Sequence, residues 1–282
     1  MKLTKKTGDK IILTLSHIIL GLGSFTMILP FLWMISTSFK IPGAEYSFPP
    51  QWLPIPPTIQ NYVDLFSLDF LPFARFFLNS IILTVIITGG CLFFDSLAGF
   101  SFAKLRFWKR DIIFLILLSS MMLPIGVMII PLYILMNFFG WLDTYLPLTL
   151  PRIFGGVYGT FLLRQFFLTV PDDLLDSAKI DGCSFFGIYW RIMLPLAKPA
   201  LITLAVIASL ATWNDFLGPL VYLSSLEKYT IQLGLAYLVS EYTVEWRMLM
   251  AGSTVALIPI LVVYIFLQKY YTRGIVLTGI KG

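Results

Sequence analysis

Residues 76–102 read FFLNSIILTVIITGGCLFFDSLAGFSF, a run whose only charged side chain is Asp95. A bilayer's hydrocarbon core takes roughly 20 apolar residues of helix to cross, so this run reads as a membrane span. Working outward, runs 11–35, 112–136, 146–168, 200–223 and 252–270 share its character. Composition agrees: of 282 residues 58% are hydrophobic and only 12% charged, whereas a soluble globular chain carries about 25% charge. So few charges cannot coat a water-facing surface, which excludes soluble enzymes, disordered chains and disulfide scaffolds together. The expected fold is an all-α polytopic membrane protein with six transmembrane helices.

The 146–168 run is the least regular. Pro147, Pro151, Arg152, Gly155, Gly156 and Gly159 interrupt it, so a broken or re-entrant helix stays open there. Gly155 and Gly159 form a G-x-x-x-G pair that would admit a neighbouring helix. The 11–35 run follows basic residues as a signal peptide does, but it is too long for the usual apolar segment and no A-x-A site follows. It is kept as the first span.

Basic residues set the orientation. Lys40, Arg75, Arg152, Lys228 and Arg247 fall on one side of these spans, and the other fifteen of the twenty lysines and arginines fall on the other. The positive-inside rule then places both termini in the cytoplasm. The net charge of +5 is thus a topological signal and not a nucleic-acid footprint. The domain plan is a cytoplasmic N-terminus at 1–10, a transmembrane region at 11–270 and a cytoplasmic tail at 271–282.

Little chemistry is available to the chain itself. Cys91, Cys183 and the single histidine, His17, cannot furnish a zinc site of the usual kind or a Ser-His-Asp triad. No G-x-x-x-x-G-K-[ST] loop occurs, so ATP hydrolysis is not expected here; neither a metal nor a cofactor is expected in this chain. Asn214 and Asp215 lie inside the fifth run, where an ionisable group is costly and faces protein or a water-filled cavity. They read either as pathway or gate residues or as interhelical hydrogen-bonding groups. Asp95, toward the cytoplasmic end of the second span, reads as interfacial or paired, and Arg152 as snorkelling or paired. Five of the seven tryptophans, Trp33, Trp52, Trp141, Trp213 and Trp246, read as interfacial or lipid-facing residues.

The segment between the fourth and fifth runs is long. Pro171 followed by Asp172 and Asp173 is a helix start, with carboxylates at the positive end of the dipole. Gly182 suits a left-handed helix end, Ser184 can cap a second helix, and Pro195 and Pro199 would interrupt that helix before the fifth span. Residues 170–199 therefore predict helix, glycine turn, helix. Leu174, Leu175, Ala178, Phe185, Ile188 and Ile192 form an apolar face, fit either to enter a groove on a partner protein or to lie on lipid headgroups.

These residues also carry a resemblance. Asp176-Ser177-Ala178, Asp181-Gly182, Leu194-Pro195-Leu196 and Pro199 resemble the E-A-A…D-G…L-P-L…P loop of permease subunits of binding-protein-dependent ABC importers. Ser38-Phe39-Lys40, Asn79-Ser80, Leu163-Arg164-Gln165-Phe166-Phe167 and Trp213-Asn214-Asp215-Phe216 are similar to the MalG-like carbohydrate branch. The resemblance implies a plasma (inner) membrane permease that moves a di- or oligosaccharide. It would work with a second MalG/MalF-type permease, an extracellular sugar-binding protein and an ATPase dimer that carries the ATP and Mg. It makes 170–199 the coupling loop, with Asp176, Ser177, Ala178, Asp181, Gly182 and Pro195 at the ATPase, and implies an ATPase contact for Gly274, Gly279, Lys281 and Gly282 in the tail. The 224–250 loop, with Glu241, Glu245 and Trp246, would probe the binding protein. Asp-Ser-Ala stands where Glu-Ala-Ala is usual. The competing reading is a self-sufficient ion-coupled carrier or channel using Asp215 and Asp95, although no internal repeat of the kind common in such carriers is visible.

Overall fold

The computed structural model describes residues 5–67, 71–239 and 245–278, and the side chains within them from Ile12 to Phe266. Glu241, Gly279, Lys281 and Gly282 lie outside the described residues. The helices are α1 Lys5–Ser38, α2 Gln60–Ser67, α3 Phe73–Lys104, α4 Arg110–Ser119, α5 Ile125–Phe138, α6 Leu146–Phe154 and α7 Val157–Thr169. They continue as α8 Asp173–Ile180, α9 Phe185–Ile188, α10 Leu194–Leu196, α11 Lys198–Trp213, α12 Leu217–Tyr222, α13 Ile231–Tyr237 and α14 Trp246–Thr278.

Four stretches are long and apolar enough to cross a membrane: Ile12–Ser38, Phe73–Lys104, Leu146–Thr169 and Trp246–Phe266. Two bent helix pairs bring the number to six if each pair is one span. The third run, read as one span, breaks: α4 with its 3-10 extension meets α5 at 102°. Pro124 is the cause, since it has no N–H and biases Leu123 to the extended conformation that Leu123 adopts at ψ 115. The fifth run is also discontinuous, because α11 stops at Trp213 and α12 begins at Leu217. The fourth run keeps the length of one span, although Gly155 and Gly156 separate α6 from α7.

The chain divides into two compact units, Met1–Phe70 with Tyr237–Leu257, and Leu71–Ala236 with Ile258–Gly282. In the first, the side chains of α1 are exposed along most of its length, Met27 at 76%, as suits a helix whose surroundings are apolar. Just beyond its end, Asn61 donates to Ser38 O and Lys40 O, both at 2.8 Å, satisfying backbone acceptors that a helix end leaves open. Lys40 is buried with its ammonium 3.8 Å from the centre of the Trp33 ring. Burial lowers its pKa, and Glu45 acts in the opposite direction. Glu45 and Asn61 each accept from Arg247, at 2.9 Å.

In the second unit α3 is the central element, packed against α6, α7 and α11. The crossing with α7 needs Gly99, where a β-carbon would stand 2.9 Å from the amide nitrogen of Arg164. The core gathers Phe100, Leu163, Phe167, Leu175, Ile188, Tyr189 and Met193. Trp213, expected at an interface or in lipid, is buried instead, its ring edge-on to Phe77 at 5.7 Å.

A knot of hydrogen bonds closes the join between α5 and α6. Asp143, at φ 55, donates its N–H to Tyr222 O at 2.8 Å. Its carboxylate accepts from the amides of Ser224 and Ser225, from the Ser225 hydroxyl and from Lys228. Those donors, Lys228 first, hold its pKa well below the usual carboxylate range. Asp143→Asn is expected to lower stability by about 1–2 kcal/mol, read as a reduced melting temperature. A depressed folded pKa stabilises above the unfolded value, so the deficit should be complete above about pH 5 and shrink as pH falls below about 4.

Candidate functional site

Residues 170–199 fold as the sequence predicts at the turn and depart from it elsewhere. α8 ends in paired reverse-turn bonds: Cys183 N donates to Ala178 O at 2.9 Å and Gly182 N to Lys179 O at 3.0 Å. This arrangement needs a left-handed residue, and Gly182 supplies it at φ +83. Ser184 caps α9 by accepting from Gly187 N at 3.2 Å. The break expected from Pro195 and Pro199 ahead of the fifth span is present, a 78° bend between them at Ala197. Pro199, in the first turn of α11, has no N–H with which to carry the preceding helix through, whereas Pro195 lies inside the continuous Phe185–Leu196 helix. Ahead of Pro195 the helix widens to a π turn at Tyr189–Met193, which relieves the clash of the proline ring with the preceding turn.

The apolar face needs correction. Leu175, Ala178 and Ile188 point into the chain's own core, so Ala178 is a spacer that lets α8 pack closely and presents no surface. The exposed apolar residues are Leu174, Ile180, Phe185, Phe186 and Trp190, with Ile180 at 87%. Asp176, Ser177, Asp181, Gly182 and Pro195 are exposed as well. Asp176 pairs with Lys179 at 2.8 Å, and the Ser177 hydroxyl donates to Asp173 O at 2.9 Å.

The first turn of α8 is anchored by an interaction the sequence did not reveal. Lys104, the last residue of α3, donates to Val170 O at 2.6 Å and to the Asp172 carboxylate at 2.5 Å. Lys104 is nearly buried, and it holds the Asp172 pKa below the ordinary range. Lys104→Met is expected to leave the α3 packing intact and to speed amide exchange over α8 by about tenfold, because local opening is set by such few contacts; unchanged exchange would remove the anchoring role.

A second polar site lies inside the second unit. Arg152, on the last turn of α6, donates to Asp215 Oδ2 at 2.6 Å, and Asp215 Oδ1 accepts from Gly218 N at 3.1 Å. Arg152 is therefore paired, as one of its two expectations had it. Asn214 turns back to donate to Leu210 O at 3.0 Å, capping α11. One cavity of about 370 Å³ between α5, α6 and α12 is lined by Arg152, Asp215 and Tyr222 among apolar side chains. Another, of about 430 Å³, is lined by Asp95, Arg152, Thr212 and the 155–159 glycine segment. Arg152 borders both.

Asp95, read as interfacial or paired, has no hydrogen-bond or ion-pair partner among the described residues. It is 3% exposed and lies against Gly156 and Gly159, where any β-carbon would collide with its carboxylate. The close approach ascribed to Gly155 and Gly159 is thus made at Gly156 and Gly159, and by a carboxylate. Glu245 and Trp246 stand at the start of α14, Glu245 beside Arg247 at 3.4 Å. Gly274 lies within α14.

The family profile described as "Binding-protein-dependent transport system inner membrane component" matches residues 96–276. The arabinooligosaccharides transport system permease protein AraQ of Bacillus subtilis is 41% identical over 80% of this chain and 79% of its own length. The sn-glycerol-3-phosphate transport system permease protein UgpE of Shigella flexneri is 32% identical over 93% of this chain and 95% of its own. Among solved structures, a chain of a bacterial ABC transporter involved in import of the acidic polysaccharide alginate superimposes with a TM-score of 0.84. It covers 96% of this chain and 99% of that one at 22% identity, a likeness of fold.

Proposed function

Since the chain belongs to the family of binding-protein-dependent transport system inner membrane components, we propose that it is the permease subunit of an ATP-driven importer of a di- or oligosaccharide. The observation that carries the reading is the match across nearly the whole chain to permeases named for such systems. It favours the importer over a self-sufficient carrier built on Asp215 and Asp95. In this reading both termini are cytoplasmic, and a second permease of the same type completes the pathway. ATP and Mg are bound by a separate ATPase dimer, since the sequence has no phosphate-binding loop of its own.

The 170–199 segment is then the coupling element. The physical support is its construction: a rigid helix–turn–helix, anchored by Lys104, that exposes Leu174, Ile180, Phe185 and Phe186 beside Asp176, Ser177, Asp181 and Gly182. An amphipathic helix with unpartnered apolar residues fits a groove on another protein. Pro195 sets the geometry of the strut leading back to α11. Gly274, Gly279, Lys281 and Gly282 make a second ATPase contact, and Glu241, Glu245 and Trp246 face the sugar-binding protein. Asn214 and Asp215, with Arg152, form a gate on the pathway.

The test is purification of the chain with whatever subunits accompany it, followed by uptake measurements in vesicles. An ATP-binding protein should co-purify, and accumulation of a labelled oligosaccharide should require both ATP and the binding protein. Accumulation by vesicles that hold this chain alone would refute the reading.

A further inference from the structure

Two carboxylates in the second unit each line a cavity that Arg152 also lines, and only one is paired with it. Arg152 Nη2 lies 2.6 Å from Asp215 Oδ2, whereas Asp95, lining the other cavity with Arg152, accepts no hydrogen bond among the described residues. At 3% exposure such a carboxylate is costly unless a positive group is within reach. Space has nonetheless been kept for it, because Gly156 and Gly159 leave room that any other residue would fill.

Each acid retains partial support without the guanidinium. Asp95 rests against the first turn of α7, where the amides carry the positive end of the helix dipole. Asp215 keeps the Gly218 N–H at 3.1 Å. Two sites that each tolerate temporary loss of a shared cation are the condition for two arrangements close in free energy. The joint is adjacent: α6 ends at Phe154 and α7 begins at Val157. A change of angle at Gly155–Gly156 therefore moves α7 relative to the turn that carries Arg152. Packed elements of this kind switch between discrete arrangements and do not deform continuously.

We propose that Asp95 is the alternate partner of Arg152: the transport cycle carries the guanidinium from Asp215, at one cavity, to Asp95, at the other. Asp95 is thereby a positioning residue, acting on the pathway through Arg152. The proposal rests on the importer reading above.

Cys91 reports on the exchange. It lines the Asp95 cavity, is 7% exposed, and its thiol donates to Arg152 O at 3.4 Å. With Cys183 replaced by serine it is the one thiol left of the two in the chain. The assembled importer in vesicles is treated with N-ethylmaleimide, and the modification of Cys91 is read by mass, without nucleotide and after vanadate trapping. The two states should differ in rate by about fivefold or more, as two populated arrangements require. Asp215→Asn should show the trapped rate without nucleotide. Asp95→Asn should keep the resting rate under trapping and lose uptake by about tenfold, the signature of an interaction made in one state only. A merely structural Asp95 would not shift the two variants in opposite directions. Equal labelling of the wild-type assembly in both states overturns the exchange, whatever the variants do, as does wild-type uptake by Asp95→Asn. A wild-type assembly that shows no ATP-driven uptake strikes the importer reading itself.

Discussion

Gly182→Val is expected to reduce ATP-driven uptake by about tenfold or more while the chain still assembles with its partner subunits. Gly182 sits at φ +83, and nothing lies within 4 Å of where its β-carbon would stand. The defect is therefore backbone strain and not crowding, about 1–2 kcal/mol for an L-residue and more for a β-branched one. That strain is relieved by opening the reverse turn in which Cys183 N and Gly182 N reach back to Ala178 O and Lys179 O. α8 would then lose its fixed angle to α9, and a strut of uncertain angle transmits no displacement. Gly182→Asn is the discriminating control, since asparagine enters the left-handed region readily; it should retain most of the uptake. Uptake measured for both variants decides the matter. A valine variant that transports normally would remove the rigid turn from the mechanism, and an asparagine variant as defective as valine would point to surface contact in place of backbone geometry.

The second large effect is expected at Arg152. Arg152→Met leaves Asp215, whose side chain is 14% exposed, without its cation in apolar surroundings. Stranding one member of a largely buried ion pair costs on the order of 3 kcal/mol, a fall of roughly 5–10 °C in melting temperature. Adding Asp215→Asn removes the orphaned charge and leaves an acceptor for Gly218 N–H. The double variant should recover at least half of the loss. This non-additivity, measured as a cycle of melting temperatures, distinguishes a pair from two independent contributors. Additive losses would mean that the 2.6 Å contact contributes nothing to holding α6 and the 214–218 break together.

The spans, the glycine turn and the serine cap were legible because each depends on local physics. An apolar run long enough to cross a bilayer declares itself in composition, and Pro171, Gly182 and Ser184 act within a few residues of their own positions. Pro195 and Pro199 advertise a break ahead of the fifth span, and the chain bends between them at Ala197; the π turn at Tyr189–Met193 was not legible, because it depends on how the helix accommodates a proline inside it.

Sequence alone also marked Asp95, Arg152, Asn214 and Asp215 as expensive residues inside apolar runs, since a charge in hydrocarbon is costly wherever the chain goes. Which of them meet was decided by packing. α6 brings Arg152 to Asp215 across a sequence separation of 63, and α3 lays Asp95 on Gly156 and Gly159 at the start of α7. Likewise Leu174 and Leu175 are chemically alike and adjacent, yet the core against α8 buries Leu175 and leaves Leu174 exposed. Hydrophobicity is a property of the residue, and a partner is a property of the fold.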